Sequence, residues 1–168
     1  SDVYKRQLMA ALGEAQSNVI ILTPYFLPDQ GLQDALKHAA LRGVQVDILL
    51  PEKNNWPFMN WASHVLLPDL MKAGCRVWWS APPFDHSKVM LVDDAWVLLG
   101  SGNWDPRSLR LNFEFNVEVY DGRLAKKLKH YVLELMKQAK PLSLDTLLNR
   151  SLWRKLRDGL VHLASPYL

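Results

Sequence analysis

His86 and Lys88 stand two residues apart, Asp93 comes five residues after the lysine, and Gly100-Ser101-Gly102-Asn103 follows after six more. On an extended segment residues two apart share a face, so an imidazole and an ammonium can approach one ligand atom. Small residues at 100 and 102 let the backbone, the Ser101 hydroxyl and the Asn103 amide crowd against an anion. The chemistry such a set suits is attack on a phosphodiester, whose oxygens repel nucleophiles and gain charge as the reaction proceeds. Lys88 supplies a point charge, and Ser101 and Asn103 supply oriented neutral donors, so no metal ion and no cofactor is needed to hold the phosphate. His86 is the one member able to attack or to move a proton near neutral pH. A working imidazole needs its far nitrogen held by an acceptor, and Glu114 is the candidate. Taken alone, a glutamate in that position would be an ordinary solvated sheet residue.

Elements must hold these residues in place. Val19 to Leu22 is a short apolar run of the kind a doubly buried strand uses. Asp29 is placed to cap a helix from about 30 to 41, which Gly43 closes, and Val44 to Leu50 returns as a strand. That succession implies a parallel crossover. A helix over about 61–72, a strand over 76–79, and two short strands over 88–92 and 96–99 around an Asp93-Asp94 turn follow. Asn112 to Tyr120 alternates, with Phe113, Phe115, Val117 and Val119 on one side and Asn112, Glu114, Asn116 and Glu118 on the other, which predicts a strand. Helices are expected over 8–15, over 124–138 and, with a leucine stripe from Leu144 to Leu163, as one long terminal helix. The fold class is therefore α/β, with a mixed, largely buried β-sheet flanked by helices on both faces.

The pattern HxKxxxxD with GSxN resembles the HKD signature of the phospholipase D superfamily. Thr23-Pro-Tyr-Phe-Leu-Pro-Asp29, Trp61-Ala-Ser63, the run from Asn103 to Glu114 and the ending Ser165-Pro-Tyr-Leu168 all look like the second catalytic half of bacterial cardiolipin synthases. The resemblance implies a two-step phosphatidyl transfer without a metal: one histidine carries a phosphohistidine and a second serves the leaving and entering alcohols. It implies catalytic roles for His86, Lys88, Ser101, Asn103 and Glu114; Asp93, five residues past Lys88 and near the far end of its strand from His86, is expected to be structural, as is Gly100, and Tyr25, Phe26 and Trp104 are expected to contact substrate. Asp85 departs from it, because an apolar residue usually precedes this histidine.

None of His38, His64, His130 or His162 is followed by Lys at the second position, so the sequence holds a single motif. The expectation is a catalytic domain over 1–140 that is the second half of a tandem, completed by an upstream half or by a second copy. Residues 1–7 are set aside as a candidate for non-native sequence, and residues 141–168 are expected to form a basic amphipathic helix. A net charge of +3 over 168 residues agrees with an anionic partner but also suits many neutral ligands. The expected partners are a phosphatidylglycerol-like phospholipid and an anionic membrane surface, with the protein peripheral on the cytoplasmic side of a bacterial inner membrane. The terminal helix either docks on that surface or packs on the domain with its charges in water. A single-motif nuclease acting as a homodimer is the rival, disfavoured because no basic groove interleaved with stacking aromatics is visible. A scaffold that has lost its chemistry is the other, and intact His86, Lys88 and Asn103 argue against it. Cys75, the lone cysteine, excludes an intrachain disulfide and is expected to fill core. The other four histidines are expected on the surface or in the core, and most of the seven tryptophans in packing, with Trp56 and Trp104 in loops near the site.

Overall fold

The structure is a computed structural model that describes residues 2–164. In chain order it comprises α1 (Asp2–Glu14), β1 (Asn18–Leu22), α2 (Gln30–Leu41), β2 (Gln45–Pro51), α3 (Pro57–Lys72), β3 (Arg76–Ser80), β4 (Val89–Val92), β5 (Trp96–Gly100), β6 (Asn116–Tyr120), α4 (Gly122–Gln138), β7 (Lys140–Pro141), α5 (Leu144–Leu148) and α6 (Leu152–Leu163). The strands form one sheet in the order β6-β5-β4-β1-β2-β3-β7. Pairs β1–β2 and β2–β3 are parallel, and the remainder are antiparallel.

Alternate residues of the central strands feed two apolar layers, as the twofold side-chain period requires. Val19, Ile21, Val46, Ile48, Met90 and Leu98 pack under α1, α2 and α3, while Ile20, Leu22, Leu49, Leu91 and Val97 meet Ala125, Val132 and Met136 of α4. Helices cover both faces, so strands near the middle read as unbroken apolar runs. Asp29 caps α2 by accepting from Leu32 N at 3.2 Å, and Gly43 closes that helix with φ of 93°. Cys75 is buried under Leu36, and its thiol is pushed up to about 12, chiefly by that burial.

Four boundaries differ from the sequence-based expectation, the first being α3, which begins at Pro57 rather than at about Trp61. α1 begins at Asp2 rather than at Leu8, and its first turn is packed through Tyr4, whose ring is buried. The alternating segment becomes a strand only from Asn116, because Arg107–Leu111 closes a single π-helical turn and Phe113 and Phe115 project into solvent. The terminal helix is broken at Asn149–Ser151 into α5 and α6, where the Arg150 guanidinium turns inward to Asp158. The ending Ser165-Pro-Tyr-Leu168 lies outside the described residues.

Candidate active site

Strand register assembles the site. Val89 pairs with Leu99 and Gly100 pairs with Asn116, so continuing the two ladders sets residues 86–88, 100–102 and 114–116 side by side at one end of the sheet. Gly100 permits this close approach: a Cβ there would stand 2.2 Å from the Phe115 carbonyl oxygen and 2.7 Å from Asn116 Cα. At Gly102 a Cβ would meet Tyr4 Cε1 at 2.8 Å.

His86 and Lys88 are joined. Lys88 Nζ donates to the His86 carbonyl oxygen at 2.6 Å and faces His86 Nδ1 at 3.0 Å. An ammonium only donates, so Nδ1 accepts and the neutral ring carries its proton on Nε2. The imidazole pKa is lowered by partial burial first and by the Lys88 charge second, against the opposing pull of Asp85, so the neutral ring is favoured. Burial likewise lowers the Lys88 pKa, opposed by Glu114, Asp105 and Asp85, which places three carboxylates within electrostatic reach of the ammonium. Tyr25 and Phe84 flank the imidazole with ring centroids at 5.8 and 5.7 Å, and the Tyr25 hydroxyl donates to Asn55 Oδ1 at 2.8 Å.

Across the sheet end, Ser101 and Glu114 meet. Ser101 Oγ donates to Glu114 Oε2 at 2.5 Å and accepts from Phe115 N at 2.9 Å. Glu114 Oε1 accepts from Ser108 Oγ at 2.8 Å and from Asn112 Nδ2 at 3.0 Å. The task assigned to Glu114 from sequence, holding the far nitrogen of His86, is not performed in this arrangement: Lys88 occupies Nδ1, and the carboxylate instead gathers three neutral donors. Asn103 sits in the same loop, and its side-chain oxygen is buried without a hydrogen-bond partner. Its neighbours are pinned on both sides. Tyr4 Oη donates to the Gly102 carbonyl at 2.9 Å and Gly102 N donates to Asn116 Oδ1 at 3.1 Å, while Trp104 N reaches Tyr25 O at 3.2 Å.

Phe26 and Trp104, expected to touch substrate, do not. They are 1% and 2% exposed and pack on each other with centroids 5.8 Å apart, so neither ring can meet a ligand. Their work is to tie the loop after β1 to the Asn103 loop, helped by Leu27 N donating to Trp104 O. Trp56 is exposed and packs on Phe58. Asp93 lies at the opposite end of the hairpin from His86. Its carboxylate accepts from Gln16 N, Ser17 N and Asn18 N at 2.7, 2.8 and 2.9 Å and so ties the β4–β5 turn to the start of β1. Burial would raise its pKa, but these donors outweigh that and hold it below the usual carboxylate range.

Several contributors were not singled out from sequence: Tyr4, Asp105, Ser108, Asn112 and Asn116. Asp105 is buried, which raises its pKa against the Ser108 N–H donated at 2.8 Å. The spacing Asp105-x-x-Ser108 is a turn signature that could have flagged this pair. Tyr4 carried no such signal, since it stands at the start of a helix whose apolar period is weak.

A family model described as the PLD-like domain of cardiolipin synthase matches residues 8–136. Cardiolipin synthase of Staphylococcus aureus strain Mu50 is 39% identical over 157 residues, covering 94% of this chain and 32% of that protein. The major cardiolipin synthase of Bacillus subtilis is 37% identical over 164 residues, covering 98% and 34% respectively. The chain thus spans about a third of the length of these curated relatives. Among solved structures, phosphatidylserine synthase of Haemophilus influenzae matches with a TM-score of 0.78 at 20% identity, over 99% of this chain and 45% of that one. The phospholipase D family member Nuc of Salmonella typhimurium matches with a TM-score of 0.72 at 22% identity, over 82% and 90%. At such identities these are likenesses of fold.

Proposed function

The chain belongs to the PLD-like domain family of cardiolipin synthase, and on that premise we propose that it supplies one half of a phosphatidyltransferase active site, with residues 1–140 as the catalytic unit and 141–168 as an appended segment. The substrate is a phosphatidylglycerol-like lipid, and the protein works peripherally at the cytoplasmic face of a bacterial inner membrane. Among the described residues no helix is long and apolar enough to cross a membrane.

The contact between Lys88 and His86 Nδ1 at 3.0 Å carries the reading, because it leaves the ring proton on Nε2. A histidine of the complementary half attacks phosphorus, the bond to the leaving alcohol oxygen breaks, and His86 Nε2–H gives that oxygen its proton while Lys88 passes a proton to Nδ1, so that the ring stays neutral. The emptied Nε2 then takes a proton from the entering alcohol as Nδ1 returns its proton to Lys88, and the alcohol oxygen attacks phosphorus as the phosphorus–nitrogen bond breaks. Lys88, Ser101 and Asn103 offset the charge that develops on the phosphoryl oxygens. Glu114 fixes the Ser101 hydroxyl, and Tyr25 borders the substrate beside the imidazole. Leu111, Phe113 and Phe115 stand exposed on and beside the segment that carries Glu114, which suits a site closed by a further half or a second copy.

The test is conversion of phosphatidylglycerol vesicles by the purified chain, alone and joined to a segment carrying a second HxKxxxxD motif. Turnover near background for the chain alone, its appearance in the joined protein and its loss in His86→Ala are expected. Robust turnover by a monomer would overturn the half-site reading. Cleavage of DNA by a dimer of this chain, without lipid turnover, would replace the substrate class.

A further inference from the structure

α6 is amphipathic, and its rotation about its own axis is the reverse of what burial of apolar surface alone would choose. Asp158 is 1% exposed and faces α3 and its neighbours, where it takes ion pairs from Arg150 and, at 2.8 Å, from Arg157. The Arg157 guanidinium lies 3.9 Å from the centre of the Trp61 ring, and His64 Nδ1 of α3 comes within 3.6 Å of Asp158. With the acidic side held inward, Leu152, Trp153, Leu156, Leu160 and Leu163 are left between 59 and 83% exposed. At 100° per residue these five fall on one arc about 100° wide. Isolated exposed leucines are ordinary, but a continuous stripe is not.

We propose that this stripe is the face by which the protein lies on an anionic lipid surface, with α6 in the plane of the interface. Charge complementarity selects lipid among the possible occupants. Residues 141–164 carry Arg150, Arg154, Lys155 and Arg157 against Asp145 and Asp158. Asp158 is already consumed by two arginines, and neither Arg154 nor Lys155 has an acidic partner among the described residues. Lys155 borders the stripe, where its cation can meet headgroups while the leucines enter the acyl boundary. Trp153 at the edge of the arc suits the water–lipid boundary. A second copy seated on the stripe would bring these cations against their own kind. The helix also ends beside the π-helical turn: His162 lines a cleft of about 440 Å³ with Leu27, Asp29, Leu109 and Arg110.

The inference is independent of turnover, and flotation of the chain with vesicles tests it. Vesicles of phosphatidylglycerol and phosphatidylcholine at about 3:7, and of phosphatidylcholine alone, are the probes. The chain should float with the anionic vesicles and at least about tenfold less with the neutral ones. Leu156→Glu with Leu160→Glu, both at solvent-exposed positions, should cut anionic binding at least about tenfold with an unchanged circular dichroism melt. Arg154→Gln with Lys155→Gln should weaken binding to anionic vesicles only. Flotation that is absent in the starting protein, or unchanged by the glutamates, overturns the proposal. Sedimentation showing that the glutamates split a dimer while flotation is unchanged assigns the stripe to self-association instead.

Discussion

Replacing Asp93 by Asn should loosen the seam between the β4–β5 turn and the start of β1 without touching the chemical end of the sheet. Asp93 has φ of 51°, a left-handed conformation that Asn tolerates as well as Asp, so backbone strain is not introduced. Oδ1 accepts from Ser17 N, Ser17 Oγ and Asn18 N, and Oδ2 accepts from Gln16 N. An amide can serve the first three donors as a neutral acceptor, but its NH2 then confronts the Gln16 N–H. One hydrogen bond is lost and three lose their charge assistance, which sums to about 2–3 kcal/mol. The group is partly open to water, and screening brings the expectation to about 1–2 kcal/mol. For a chain of this size that is roughly 3–6 °C in Tm. The pH dependence follows from the lowered pKa of Asp93. A carboxyl depressed in the folded state contributes its stability above the unfolded value and loses it as pH falls through the folded one. Urea unfolding at pH 7 and again near pH 3 should therefore show a difference between the two proteins that shrinks in acid. A difference of zero at pH 7, or one that persists undiminished in acid, would refute the account of this carboxylate.

Two further substitutions follow from the geometry. Gly100→Ala places a methyl 2.2 Å from the Phe115 carbonyl oxygen, which is backbone and cannot step aside, so a loss of about 2–4 kcal/mol together with displacement of Glu114 is expected in thermal melts and in the Ser101 and Phe115 amide resonances. His64, half-buried beneath α6, has its pKa pushed down to about 4, by burial first and by the Arg150 charge second, against the opposing pull of Asp158. A histidine lowered in this way contributes stability above pH 6.5 and loses it as pH falls toward 4, so about 2 kcal/mol should disappear between pH 7.5 and 5 and the slope should flatten in His64→Gln.

How far the sequence carried the reading depends on the range of the forces involved. The hairpin, its Asp93-Asp94 turn and the pairing of His86 with Lys88 were legible, since each rests on short-range period and turn chemistry; both turn residues do take positive φ. The layered sheet was legible for the same reason, because doubly buried strands are written as apolar runs. Phe26 and Trp104 were misjudged because an aromatic in a loop near a site looks the same in sequence whether it faces the ligand or the core. The partners of Glu114 were hidden by the π-helical turn at Arg107–Leu111, which ends the alternation early and turns Ser108 back to the carboxylate. The outward leucines of α6 were written plainly, but which side of an amphipathic helix goes inward was decided by Asp158, Arg150 and the Trp61 ring, contacts between distant segments that no local pattern encodes.

The central claim is that His86, Lys88 and Asn103 serve one tetrahedral anion, and titration of the chain with tungstate, followed through the ring resonances of His86, tests it most directly. Saturable shifts at His86 with a raised imidazole pKa are predicted, and both Lys88→Met and Asn103→Leu should weaken binding by at least about tenfold, as loss of a donor to a bound oxyanion does. Tungstate that binds without moving His86, or that binds equally well to Lys88→Met, would contradict the account.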